Sequence, residues 1–251
     1  MIFRSIKFLA DYTIRATDGE IGTIHDFLCD EVTWTLRYLV VDTGRWLPGR
    51  KVLLATTAVE SADAEEQQFA VNLTKAQVKD SPEIDVERPI TLKEQIHLHD
   101  YFTWPYYWTT HDFSAAFTPT APPIPQNRTD RRPTTGELKL QDPHLKSTNA
   151  VRGYHIQAQD GEIGHVDDFL IEEEQWKLRY VIVDTRNWLP GKHVLIAPEW
   201  ITNLDVLDEK VHVDLKQEAI KSSPEYVPSE RLNRAYENEL YEHYGLPKYW
   251  E

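Results

Sequence analysis

The chain has 251 residues, 41% hydrophobic and 11% aromatic, with a formal net charge of −14. That composition supports packed cores and excludes a disordered chain, and the acidic balance speaks against a phosphate-backbone partner. The single cysteine, Cys29, excludes an intrachain disulfide and a cysteine-based zinc site, and its place in an apolar run predicts a packing role.

The opening run MIFRSIKFLA carries Arg4 and Lys7 inside apolar sequence, which breaks any signal-peptide core. No stretch approaches the ~18 apolar residues of a membrane span, so a cytoplasmic protein is expected. A short strand is predicted near 12–17. Asp18-Gly19 then supplies the backbone freedom of a tight hairpin, and the returning strand covers roughly 20–29. LRYLVVDT, Leu36 to Thr43, is the strongest strand signal in the chain. Its β-branched apolar centre predicts a central strand covered on both faces. Trp46-Leu47-Pro48-Gly49 fits a type II turn, and Val52 to Leu54 resumes a strand. Residues 60–68 are polar and acidic and read as a loop. Phe69, Val71 and Leu73 alternate as in a half-buried strand. A short helix is predicted over 75–79, ending before Ser81-Pro82. A second helix opens at Thr91, with the Thr91–Glu94 spacing of a capping box.

All of this then happens again. Asp18 to Ala55 and Asp160 to Ala197 align without a gap at an offset of 142, with 23 of 38 positions identical. That is an internal duplication. It extends to the aromatic tails, where Pro105, Tyr107 and Trp108 match Pro247, Tyr249 and Trp250. The expected units are 1–109 and 143–251, each with a helical and aromatic tail. Between them, 110–142 holds Pro119, Pro122, Pro123, Pro125 and Pro133 and reads as a Pro-rich linker. The expected fold class is all-β with short helices: two small, mostly antiparallel barrels of five or six strands. The copies are expected to dock about a pseudo-two-fold axis, with the tails crossing between them.

DGEIG, then DDFL, then W-x-LRY-x-x-VDT, then WLPGK-x-VLI resembles the PRC-barrel domain. That domain is named for the cytoplasmic part of the photosynthetic reaction centre H subunit, and a relative forms half of a bacterial ribosome-maturation factor. The resemblance covers roughly 5–84 and 147–226 and is strongest to bacterial proteins with tandem PRC barrels. It implies a small all-β barrel and a role in contacts between macromolecules. It implies no catalytic residue.

Several residues invite a chemical reading. Asp167, Asp168, Glu172, Glu173 and Glu174, with Asp26, Asp30 and Glu31, either bind a hard cation or form a solvated hairpin whose charges discourage edge pairing. Asp42 and Asp184 end the central strand, where an Asx-turn competes with a general base. Arg37 and Arg179 lie within that strand and either contact a partner or pair with a carboxylate while the stem packs. His97, His99 and His111 are a weak candidate metal group, since His97 and His99, two apart, face different sides of a helix. The turn residues Trp46, Leu47 and Arg50, and their counterparts Trp188, Leu189 and Lys192, have the composition of an interface hot spot. The alternative is that each Trp folds onto its own barrel. Trp108 and Trp250 either seal a barrel or present an aromatic surface.

The best functional reading is a non-enzymatic protein-interaction module with no cofactor and no metal. Its partner is expected to be protein, with nucleic acid disfavoured by charge. The alternatives are a metal-binding or hydrolytic enzyme using the hairpin carboxylates, and, through the family resemblance, an RNA-processing or ribosome-assembly factor.

Overall fold

The computed structural model describes residues 2–108, 144–185, 192–229 and 231–251. Copy one contributes β1 (Phe3–Ser5), α1 (Ile6–Leu9), β2 (Thr13–Ala16), β3 (Gly19–Asp30), β4 (Thr35–Asp42), β5 (Lys51–Ala55), β6 (Val59–Asp63), β7 (Gln68–Val71), α2 (Lys75–Lys79) and α3 (Leu92–Phe102). Copy two repeats the order with β8 (Leu145–Ser147), α4 (Thr148–Val151), β9 (His155–Ala158), β10 (Gly161–Glu172), β11 (Lys177–Asp184), β12 (His193–Ile196), β13 (Ile201–Asp205), β14 (Lys210–Val213), α5 (Gln217–Ser222) and α6 (Arg234–Tyr244).

The chain is mostly β with a few short helices, as the composition and periodicity predict. The two expected small barrels do not appear as two closed sheets. The strands make one 14-stranded sheet whose path runs β13-β14-β9-β10-β11-β4-β3-β2-β7-β6 and does not close. β1 is added on β10, β8 on β3, β5 on β4 and β12 on β11. The sheet is also mixed, because β2 pairs with β7 and β9 with β14 in parallel. Long intervening sequence allows those parallel pairs, which a tight hairpin cannot make.

Each hairpin forms where the sequence predicts it. Ala16 pairs with Gly19, leaving Thr17-Asp18 as the turn. The Asp18 side chain then accepts from Lys75 N at 2.7 Å, so the same residue caps the start of α2; Asp160 does so for Gln217 at 2.8 Å. The second glycine of DGEIG has a different task. A Cβ on Gly22 would lie 2.0 Å from the carbonyl oxygen of Asp42, and one on Gly164 would lie 2.2 Å from that of Asp184. Only glycine lets these two strands approach so closely.

One predicted loop is partly a strand. Residues 60–68 begin with β6, which pairs with β7 through Ser61↔Ala70 and Asp63↔Gln68. β6 ends the sheet path, so one of its edges meets solvent and its polar, largely exposed side chains carry no core signal. Edge strands are often charged for that reason. Sequence periodicity also gave no sign of β1 or β8, which are three residues long and half-buried.

One apolar core runs through both copies. It includes Phe27, Leu39, Val41 and Phe69 from copy one, and Phe169, Val181, Val183 and Trp200 from copy two. Among the described residues, no helix is long and apolar enough to cross a membrane.

Candidate interaction surfaces

The first surface is the one the copies share. β1 of copy one adds antiparallel to β10 of copy two through Arg4↔Ile171 and Ser5↔Leu170. β8 of copy two adds to β3 of copy one through Lys146↔Cys29 and Ser147↔Leu28. A bulge at residues 24–26 of β3, and the equivalent one at 166–168 of β10, shifts the ladder beside each aspartate. Bulges of this kind re-aim side chains. Asp26 accepts from Ser147 Oγ at 2.5 Å, Thr148 Oγ1 at 2.9 Å and Asn149 N at 3.0 Å. Asp168 accepts from Ser5 Oγ and from Lys7 N at 3.1 Å. Arg4 pairs with Glu173, and Lys146 with Glu31 at 3.4 Å. The serine, backbone-amide and ion-pair contacts in one direction have their counterparts in the other; the Thr148 hydroxyl does not, because Ile6 stands at its equivalent position.

Between these ladders, β4 and β11 meet at a single pair, Lys177↔Thr35. Leu36 N donates to Trp176 O and Leu178 N to Trp34 O, both at 2.8 Å. Trp34 and Trp176 have left-handed backbones, with φ of 51° and 53°. Trp176 lies with its ring centroid 5.4 Å from that of Phe69 and 6.5 Å from that of Phe27, both in copy one. Trp34 lines a small gap with Phe169, Leu178 and Leu204 of copy two. These two tryptophans were not singled out in the sequence. Their signal was available: both are conserved through the duplication, just ahead of the central strand.

The acidic cluster is therefore only partly a solvated hairpin: Glu174 is exposed, but Asp30, Asp168 and Glu172 are buried. Asp168 is 3% exposed and Glu172 1%. Burial pushes the Asp168 carboxyl above its ordinary range, despite the hydrogen bonds from Ser5, Phe169 and Lys7. Asp30 is held the other way. Burial works to raise it, but hydrogen bonds from Thr33 and Arg37 outweigh that and keep it below the usual value. Arg37 Nη2 reaches Asp30 at 3.0 Å, and Arg179 reaches Glu172 at 2.7 Å. Both strand arginines thus pair with a carboxylate in their own copy. Asp42 closes an Asx-turn onto Gly44 N at 2.8 Å. His97 is exposed while His99 is buried, so they do not converge, and His111 lies outside the described residues. Among the described residues there is no group of three His, Cys, Asp or Glu side chains arranged to hold a metal ion.

The turn residues separate into two kinds. Arg50 donates to Lys79 O and Ser81 O, both at 2.5 Å, and Lys192 Nζ donates to Lys221 O at 2.8 Å and to Ser223 O. Both cations brace the end of the short helix in their own copy, where free carbonyls favour positive charge. Trp46 is half-buried, with Lys75 Nζ 4.7 Å from its ring centroid. Leu47 is half-buried and Pro48 is exposed at the tip. Trp188 and Leu189 lie outside the described residues.

The tails do not cross among the described residues; each packs on its own copy. Trp108 lies 4.9 Å from the rings of His99 and Tyr107. Trp250 lies 5.0 Å from Tyr241, with the Arg234 guanidinium 4.1 Å over its ring. Tyr107 donates to Gln95 Oε1 at 2.6 Å under Arg37, and Tyr249 donates to Glu237 Oε1 at 2.9 Å under Arg179. Glu237 is 1% exposed and also accepts from Tyr180 at 2.8 Å. His99 Nδ1 sits 2.9 Å from Pro105 O, and its Nε2 sits 2.8 Å from the Tyr38 hydroxyl. Burial drives its pKa down to about 4.

Residues 147–220 match the PRC-barrel domain family, a span that runs from the last residue of β8 through most of α5. No curated protein matches the chain.

Proposed function

We propose that the chain is a non-enzymatic protein-interaction module, in which residues 1–109 and 143–251 act as a fused pseudo-dimer joined by the Pro-rich stretch 110–142. The observation that carries this reading is the use made of the most chemical-looking residues. Asp26 and Asp168 have their oxygens engaged by the facing copy, and Asp30 and Glu172 are tied to strand arginines. Carboxylates committed in this way hold structure together and are poorly placed to take up a reacting proton. The match of residues 147–220 to the PRC-barrel domain supports the same reading, since such domains are commonly protein-interaction modules.

On this reading the outward surface that meets a partner includes the turn carrying Trp46, Leu47 and Pro48. Affinity capture from the native cell with the full chain should retain a protein that a Trp46→Ala/Leu47→Ala variant of equal stability releases. Hydrolytic activity lost in Asp168→Asn, with the fold intact, would overturn the non-enzymatic reading. Retention of RNA in place of protein would favour an assembly-factor role.

A further inference from the structure

At a two-fold interface between identical units, a residue on the axis faces its own copy. Here the axial pair is Lys177 opposite Thr35, two residues that occupy the same position of the duplication. The neighbouring cross-contacts keep their chemistry in both directions. Ser5 and Ser147 face Asp168 and Asp26, Arg4 and Lys146 face Glu173 and Glu31, and the carbonyls of Trp176 and Trp34 accept from Leu36 N and Leu178 N. Those groups would fit equally well if copy one met copy one of a second chain, or copy two met copy two. The axial position would not fit in the second case, where Lys177 would meet Lys177.

The geometry points to Lys177 as a specificity residue: it makes copy two reject itself, and so holds each chain in the one-with-two arrangement. This goes beyond the interaction-module reading and does not depend on what the module binds. In the arrangement seen, Lys177 Nζ donates to Thr33 O of the facing copy. Paired with itself, copy two would set two half-buried lysines directly opposite each other, beside two copies of Arg179. Like charges opposite one another in a ladder are destabilising, and desolvation makes the clash worse. Burial followed by the nearby Arg179 already lowers the pKa of a single Lys177. Copy one paired with itself would place Thr35 against Thr35, with no such penalty. A chain-to-chain dimer through two copy-one units must still leave two copy-two units facing each other or unpaired. One lysine therefore disfavours both halves of that exchange. The 33 residues of the Pro-rich stretch 110–142 keep the second copy close, which adds an effective-concentration advantage to closure within the chain.

Two experiments on the full chain test this. In the first, Thr35→Lys, which sets lysine against lysine in the native arrangement, should lower the melting temperature more than Thr35→Gln does. Adding Lys177→Thr to Thr35→Lys should restore it, because the mirror-image pair is then present. A purely local packing role for Lys177 predicts no rescue, and its absence would overturn the proposal. In the second, Thr35→Cys supplies an axial thiol that meets its own kind only in a copy-one-with-copy-one dimer. Cα atoms in such a directly opposed, non-hydrogen-bonded pair lie ~4.5 Å apart, within disulfide reach. After refolding at high concentration and oxidation, Thr35→Cys alone and Thr35→Cys/Lys177→Arg should give little interchain disulfide. Thr35→Cys/Lys177→Thr should give several-fold more, with Lys177→Gln as a second background if the threonine variant folds poorly. Equal yields with and without the charge, or none in any background, would overturn the proposal.

Discussion

Ser147 donates its hydroxyl to Asp26 at 2.5 Å across 121 positions of the chain, and Ser5 makes the same bond to Asp168. Neither serine has a remarkable sequence context, and neither aspartate has a partner in its own hairpin turn. The bond exists because the three-residue strand before each short helix belongs to the other copy's sheet. Asp26→Ala should therefore cost ~2–4 kcal/mol, since it strips the acceptor from two hydroxyls and from the backbone amides of Asn149 and Phe27 at once. Asp26→Asn keeps one acceptor oxygen and should cost roughly half as much. Urea unfolding followed by tryptophan fluorescence measures both. A change under about 0.5 kcal/mol for the alanine variant would mean the bond carries no net energy.

Much of the fold was legible because local rules suffice for it. Asp18-Gly19 marks a hairpin, the Leu36–Val41 run marks a buried central strand, and Thr91 with Glu94 marks a capping box, which forms with Thr91 N 2.9 Å from Glu94 Oε2. What was not legible depends on partners far away in sequence. Phe3–Ser5 is too short to show a period, and its pairing with β10 is 165 or more positions distant. Trp34 stands just ahead of the predicted central strand, where nothing local signals that its backbone is left-handed or that its side chain faces the other copy. Arg50 and Lys192 looked like partner contacts because a basic residue at a turn tip gives no hint that helix carbonyls lie within its reach.

The bracing role of Arg50 is testable. Arg50→Ala should cost ~1–2 kcal/mol by leaving the carbonyls of Lys79 and Ser81 without their donor. Arg50→Lys should recover part of the loss, since lysine does this work in copy two. An Arg50→Ala variant of unchanged stability that nonetheless releases a bound partner would restore the interface reading.

The tail of copy one carries a pH signature. His99 is folded away with a pKa of about 4, below its ordinary 6.5, because burial disfavours the charged ring. A histidine whose folded pKa is depressed is fully compatible with the fold above 6.5. Its cost grows as pH falls from 6.5 towards 4, where the unfolded chain binds a proton that the folded one refuses. Between pH 7 and pH 5 this amounts to ~2 kcal/mol lost. Copy two has Tyr241 at the equivalent position. His99→Tyr should flatten that part of the stability profile, measured by denaturation at a series of pH values. An unaltered slope in the variant would show that another group is responsible.

Cys29 is buried against the facing copy, paired with Lys146 across the ladder. Burial, then the neighbouring Asp30 charge, push its thiol far above the ordinary value. Since the thiolate is the reactive form, the native thiol should be silent towards Ellman's reagent at pH 8 and should react fully in denaturant. Its slow native-state rate then reports how often the two copies part at β8. Prompt stoichiometric reaction of the folded protein would contradict the burial.

The strongest consequence concerns the halves. If each copy completes its sheet with the other's first strand, neither 1–109 nor 143–251 is whole alone. Produced separately, each should be less stable than the intact chain, and mixing them should restore a one-to-one complex. The axial residues add an asymmetry. The 1–109 half, with Thr35 on its axis, should dimerise with itself when no partner is present, using Ser5 and Asp26 of opposite molecules. The 143–251 half carries Lys177 at that position and should self-associate more weakly, gaining affinity at high salt as the repulsion is screened. Sedimentation velocity on each half and on the mixture distinguishes these states. Two stable monomers that ignore each other, each melting at the temperature of the full chain, would show that the exchanged strands are dispensable.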